Sequence, residues 1–380
     1  MSVYAVFAKI TRFAFLSAAL VAGAAGAQDI TLGQIGPFTV LPVPDATEVN
    51  AGITAYVKAA NAAGGVRGHK IDFFSLDDRY SSEGFEEQFK KAMEKKPLAL
   101  LSPIGSAALT SMYQDKLLDN NDVVIMNMIP GAESLRNPGH PRAFHIRAGD
   151  KQQIEKIVHN ARTLGTSKLA VLYQDLVIGT SGWDVAKAAA AAEGGMDIQG
   201  VKTAPDLPAL AAAAQQVKQL QPQSVLLVGS PRFMADGVAA LRKAGMSQTL
   251  YVLSYVPAGL LVKLAGPEGA RGVGISQTFP NPNGIVLPLQ RDFQAAMKAA
   301  YPNLKHYSPF HLEGYLSARV VVEALRRSKE RDITPAALER ALHSAGEMDL
   351  GGFRVDFSKG NIGSHWVDIG VVDVEGKIIY

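Results

Sequence analysis

The chain contains no cysteine, so no disulfide can brace it and no thiol can act as a nucleophile or metal ligand. The same absence excludes a lipid-modified N-terminal cysteine. Beyond the N-terminal segment there is no apolar run long enough to span a bilayer. Charge of one sign is not in excess, and no basic run suits nucleic acid. Catalytic signatures are missing as well. No GxGxxG follows the first strand, which argues against a nicotinamide enzyme, and there is no GxSxG elbow. The glycine-rich GGVRGHK (Gly64–Lys70) lacks the Lys-Ser/Thr of a phosphate loop. It also lies between a helix and the next strand, the wrong side for phosphate, and reads as a helix stop and turn. The histidines fall in no HExxH or other ligand spacing, so neither a metal nor a cofactor is expected.

What is present begins with an export signal. Lys9 and Arg12 precede the apolar run Phe13 to Ala22, and Ala25-Gly26-Ala27 forms a small-x-small cleavage pattern. Residues 1–27 are therefore expected to be removed, leaving a chain from Gln28 that is free in the periplasm. Loss of Lys9 and Arg12 takes the 38 basic residues to about the number of acids, 35, so the charge says little about partners. With 47% hydrophobic residues in 380, the rest is an ordinary globular composition with room for two domains.

Apolar runs alternate with helical periodicity in two blocks. In the first, Asp29–Ile35, Lys70–Leu76, Leu98–Leu101 and Val123–Met128 read as strands. Helices are expected over Thr47–Ala63, Ser81–Glu94 and Ala107–Asp119. In the second, the strands are Lys168–Tyr173, Ser224–Val228, Leu250–Ser254 and Gly272–Gln277. Helices there are expected over Lys151–Thr163, after Gly179, over Leu207–Leu220 and up to Ala244. Phe279–Gly284 reads as a linker. Helices at Ile285–Ala300, His311–Arg327 and Thr334–Ser344 and a β-rich end follow it. The expected fold is α/β, two lobes with parallel-sheet cores and right-handed crossovers.

In such a fold, loops after strands collect at carboxyl edges, where ligands bind. They carry Phe38, Ser106, Ala107, Ile129, Gly131, Ile178, Ser230 and Tyr255. Two facing edges would form a cleft in which small polar groups and free N–H groups hold a ligand. Phe38, Phe233 and Tyr255 would cover its apolar parts. The plainer account of Ser106 is a helix cap, and that of Asp77-Asp78 a strand-end cap with one solvated carboxylate.

DITLGQIGPF, NAGITAYVKAANAAGGVRGHKIDFFSLDD, IPGAESLR, KLAVLYQD, FHLEGYLSARVVVEALRR and LGGFRVDFS occur in that order. In these motifs the chain resembles the periplasmic solute-binding proteins of the branched-chain amino acid (leucine/isoleucine/valine) type, receptor components of ABC importers. NAAGGVRGHKI followed by a strand ending in DD is the most specific of them. The resemblance implies the type I periplasmic binding fold with a three-crossing hinge. Lobe 1 would be residues 28–147 plus 281–363, and lobe 2 residues 148–280 plus 364–380. It also implies hinge closure around a small molecule, docking on an inner-membrane ABC permease, a monomer, and no enzymatic activity. A sensor of the same fold feeding a signalling partner is the alternative, and a periplasmic α/β enzyme a weaker one.

In the family's amino-acid binders, a serine matching Ser106 holds the ligand carboxylate. A residue matching Gly131, usually Thr, and the carbonyl matching Ile129 assist. A Tyr matching Ile178 and an acid near Tyr255, the ammonium partner, are absent here. Glu133, Asp175 and Asp78 are the acids considered as replacements. The expected ligand is a carboxylate with an apolar or aromatic body, with an amino acid held by a different acid second.

Overall fold

The computed structural model describes residues 29–40 and 45–380. The expected export signal lies outside the described residues, as do residues 41–44 of the loop after the first strand.

The first sheet takes its strands from the first block: β1 (Ile30–Gly36), β2 (Ile71–Asp77), β3 (Ala99–Leu101), β4 (Val124–Met126) and β5 (Ala143–Phe144). Their order is β2-β1-β3-β4-β5, all parallel. Leu98–Leu101 is buried throughout, as an apolar run central in a parallel sheet must be. The connecting helices are α1 (Asp45–Ala62), α2 (Ser82–Glu94) and α3 (Ser106–Gln114). α1 begins two residues ahead of Thr47, the expected cap. Its end is as expected: the Gly65 N–H donates back to the Ala60 carbonyl, and Gly64 and Gly65 take positive φ. α2 is capped by Ser81, whose hydroxyl accepts from the Gly84 N–H at 2.9 Å, and it buries Phe85, Phe89 and Ala92.

The second block supplies α4 (Asp150–Thr163), β6 (Lys168–Gln174), α5 (Val177–Glu193), β7 (Asp197–Thr203) and α6 (Leu207–Gln219). It continues through β8 (Ser224–Val228), α7 (Pro231–Lys243), β9 (Thr249–Val252), α8 (Ala258–Ala270) and β10 (Gly274–Gln277). Two of these were not expected from sequence. β7 is an edge strand, largely wet, so it carries no apolar run. α8 contains Gly266 at φ 74° and Pro267, residues that read as loop and break the helix there.

After β10 the chain returns to the first lobe as α9 (Pro288–Ala300), α10 (Pro309–Arg327), α11 (Pro335–Ser344) and the short antiparallel pair β11 (Met348–Asp349) and β12 (Arg354–Val355). Then β13 (Asp368–Val372) and β14 (Ile378–Ile379) complete the second sheet, ordered β14-β13-β10-β9-β8-β6-β7. β13 and β14 pair antiparallel, and the others are parallel. The chain therefore passes between the sheets after β5, after β10 and after β12. The first and third passages lie side by side. The His145 N–H donates to Asn361 O and the Gly363 N–H to His145 O, both at 2.8 Å.

α10 is the buried spine of the first lobe. It crosses α1 closely because both helices present glycine at the contact. A Cβ on Gly52 would strike the His311 carbonyl, and one on Gly314 the Val49 carbonyl. Tyr56 meets Tyr315 edge-on at 5.0 Å beside this crossing. His311 sits at the third position of α10. There its Nδ1 accepts from the Ser308 N–H at 3.1 Å, while the Ser308 hydroxyl also donates to Glu48.

Burial pushes His311 down to about 4. The fold thus favours the neutral imidazole. That stability is fully present above the unfolded value of about 6.5 and is lost as pH falls toward 4. Glutamine at this position can keep the reciprocal cap. The variant His311→Gln should accordingly lose less stability than the parent between pH 6.5 and 4. The difference should reach at most about 3 kcal/mol in urea unfolding.

Candidate functional site

Every loop singled out from the sequence follows a parallel strand. Phe38 follows β1, Ser106 and Ala107 follow β3, and Ile129 and Gly131 follow β4. Ile178 follows β6, Ser230 follows β8, and Tyr255 follows β9. They divide between the two lobes, and one pair meets across the junction. The space a Cβ on Gly131 would take is filled by the Tyr255 hydroxyl and the Asp150 carboxyl. Tyr255 donates to Asp150 Oδ1 at 2.5 Å, and the Asp150 N–H donates to Gly131 O at 2.9 Å. Any larger residue at 131 would collide with this contact.

Beneath Tyr255 lies Arg147, which sequence reasoning missed. It is 2% exposed, its guanidinium 4.8 Å from the centre of the Tyr255 ring. One terminal nitrogen donates to Glu313 of α10 at 2.5 Å and the other to Ser254 at 2.5 Å. Glu313 also accepts from Asn127 Nδ2 at 2.9 Å, and Asn127 Oδ1 accepts from the Arg147 N–H at 3.0 Å. On the other side, Gln153 Oε1 gathers the Ser254 N–H, the Ser254 hydroxyl and the Ser276 hydroxyl. Arg136 donates to the Arg147 carbonyl at 2.9 Å. A continuous polar network thus runs from α10 through Arg147 into the second sheet.

The electrostatics follow from this enclosure. Burial opposes the charge on Arg147, but Glu313 and Tyr255 outweigh it and hold the guanidinium above its ordinary value. Burial raises Glu313, with Arg147 and the Asn127 hydrogen bond pulling it back. Asp150 is raised by burial despite the Tyr255 hydrogen bond and the two arginines. Tyr255 is raised by burial and then by Asp150, which keeps its phenol protonated as the donor.

The remaining residues lie along the two edges. Ser106 and Ala107 are exposed in the first turn of α3, whose leading N–H groups have no partner within the helix. The cap of α3 is Gly105, at φ 112°, so the hydroxyl of Ser106 is not the cap. Ile129 is buried, its N–H donating to Pro103 O at 3.1 Å. Phe38 is half-buried. Its N–H and the Thr39 hydroxyl donate to Asp77, which ties the loop to the end of β2. In the second lobe Ile178 is half-buried, beside exposed Leu176 and Val177. Tyr80 of the first lobe is exposed as well. Ser230 caps α7 by accepting from the Phe233 N–H, and its own N–H donates to Gln174 at 2.8 Å. Phe233 is buried in the lobe under Gly229 and cannot cover a ligand.

The acids considered from sequence fall elsewhere. Asp175 is exposed and pairs with Lys202 at 3.3 Å. Asp78 is buried, with its carboxylate accepting from the Tyr80 N–H, and burial pushes it up to about 6, while Asp77 is the more solvated of the two. Glu133 is half-buried near Gly149. The acid beside Tyr255 is Asp150, the first residue of α4. Only its position after the strand–crossing segment FHIRAGD could have suggested it. Among the described residues, no group of three or more His, Asp or Glu is placed to hold a metal, and no helix is long and apolar enough to cross a membrane.

Two α/β lobes with parallel-sheet cores, joined by crossing segments and touching at their carboxyl edges, define the type I periplasmic binding fold. The sequence profile of the periplasmic binding protein family matches residues 29–377, and the chain belongs to that family. An extracellular ligand-binding receptor from Verminephrobacter eiseniae is 57% identical over 93% of this chain and 100% of its own, with a TM-score of 0.89. The fatty acid ABC transporter substrate-binding protein from Thermomonospora curvata shares the fold at 20% identity. It covers 93% of this chain and 91% of its own, with a TM-score of 0.79. A branched-chain amino acid ABC transporter protein from Thermus thermophilus with bound valine does so at 19% identity. Here the coverage is 93% and 95% and the TM-score 0.76. A search of curated proteins returned no match.

Removing one partner of a buried ion pair leaves the other charge desolvated and uncompensated. Glu313→Ala should therefore cost about 3–5 kcal/mol in urea unfolding. Glu313→Leu combined with Arg147→Met, which removes both charges, should recover a substantial part of that loss.

Proposed function

We propose that this protein is the periplasmic substrate-binding component of an ABC importer and captures a small organic solute between its lobes by hinge closure. On this reading the chain is exported, cleaved near Ala27, acts as a monomer without catalysis, and delivers its solute to an inner-membrane permease. The two sheets support lobe boundaries at 28–147 plus 281–363 and 148–280 plus 364–380. The observation that carries the reading is the pairing of two carboxyl edges across one junction, at Gly131 and Tyr255. Family membership supports it.

The solute we favour is a carboxylate with an apolar or aromatic body. Ser106 and the free N–H groups of the first turn of α3 suit a carboxylate, aided by the helix dipole. Tyr80, Leu176 and Val177, exposed on the two edges, suit an apolar body. Where the amino-acid binders carry a Thr and an acid, this chain has Gly131 and Tyr255 in contact. One observation favours a second reading, an amino acid: Asp150 stands beside Tyr255 and can serve as the ammonium partner.

A thermal-shift and calorimetric panel of octanoate, benzoate, leucine and valine decides between them. On the first reading octanoate or benzoate stabilises the protein, by about 2.7 kcal/mol at a hundredfold excess over Kd. Ser106→Ala then weakens binding by about 1.5–3 kcal/mol, the range for a hydrogen bond to a charged group. Tight leucine or valine binding with both acids inert sinks it. If Asp150→Asn then abolishes that binding, the second reading stands.

A further inference from the structure

We infer that Arg147 is the pivot of the two lobes, a positioning residue that sets the angle at which their carboxyl edges face each other. The inference goes beyond solute capture and does not depend on which solute is bound. Its main chain is fixed in the first lobe from two sides: Asn127 accepts its N–H, and Arg136 donates to its carbonyl. Glu313 of α10 holds one arm of the guanidinium. The other arm crosses to the second lobe, where Ser254 accepts it and the Tyr255 ring lies over it.

The anchors at both ends are themselves rigid. Glu313 is held by Asn127, and α10 is locked on α1 by the glycine contacts. Ser254 is held through both its N–H and its hydroxyl by Gln153, which also binds Ser276 of β10. A planar fork with an arm in each body is a short tether. Breaking the Ser254 arm would leave a buried cationic donor unsatisfied, so rotation that keeps it is favoured over translation or separation. The Gly131–Tyr255–Asp150 contact beside it leaves no room for the edges to approach further at this end. Opening and closing must then be largest at the far end of the edges, where Phe38 and Tyr80 stand on one lobe and Leu176 to Ile178 on the other. Lysine cannot replace this fork, because one ammonium on a flexible stem does not span both anchors in a fixed geometry.

The test uses the absence of cysteine, which makes paired spin labels unambiguous. Labels go on the full mature chain at Lys90→Cys of α2 and Lys187→Cys of α5, both solvent-exposed and one in each lobe. Pulsed dipolar spectroscopy then reads the interlobe distance, with no solute required. We expect a single narrow distribution for the parent. In Arg147→Lys and in Ser254→Ala it should broaden and shift. Glu313→Gln, which keeps a hydrogen-bonding partner for Arg147, should lower Tm while leaving the distribution narrow. Distributions that match the parent in both Arg147→Lys and Ser254→Ala, whatever happens to Tm, would assign Arg147 a merely structural role and overturn the inference. If Arg147→Lys fails to fold, Ser254→Ala decides alone: it keeps Arg147 in place and removes the second-lobe acceptor, along with one of the three hydrogen bonds that Gln153 accepts there. Failure of every solute in the binding panel leaves this readout intact, so the two proposals fail separately.

Discussion

The buried guanidinium of Arg147, held by Glu313 in the first lobe and by Ser254 in the second, is the constraint on which the arrangement of the two lobes depends. Neither charge reaches solvent, so each must find its partners inside the protein. Glu313 comes from the spine of the first lobe, and Arg147 from the segment that leaves that lobe for the second. Asn127 meets Glu313 on one side and Ser254 meets Arg147 on the other, while the Arg147 Nε is left without a hydrogen-bond partner. A buried pair of this kind is a weak source of net stability, because desolvation consumes much of the attraction. Its contribution is to geometric uniqueness: few relative placements of the lobes satisfy all of these groups together.

The same junction unites two positions that look unrelated along the chain, Gly131 and Tyr255. In the folded protein they are one feature. The tyrosine hydroxyl occupies the space that a side chain at 131 would need, and Asp150 supplies the carboxylate that accepts its hydrogen bond. Tyr255 and Asp150 fill the space beside Gly131, and the exposed apolar residues Tyr80, Leu176 and Val177 stand at the ends of other strands.

Much of the scaffold was legible in the sequence because it follows from local periodicity. Leu98–Leu101 reads as a strand covered on both faces and forms β3 over Ala99–Leu101, and Ser224–Val228 matches its observed bounds. The elements that were missed had their local signal cancelled. β7 sits at a sheet edge and carries little apolar character, and α8 is interrupted by Gly266-Pro267. Loops at carboxyl edges were identifiable as a set. The state of each side chain was not: Ser230 is committed to a cap, Phe233 to the core, and Asp78 to a buried strand end.

By itself the sequence determined the α/β architecture, the split into two blocks, the family, and which loops stand at carboxyl edges. All of these depend on patterns within a few residues or on ordered motifs. Only the tertiary structure decided which groups act together at the junction. Arg147 and Glu313 are 166 residues apart, and Asp150 and Tyr255 are separated by 105. In the sequence Glu313 is one polar residue in a helix and Arg147 one charge after a strand. Their roles arise from burial and from partners that the folded chain brings together, and no local pattern encodes either.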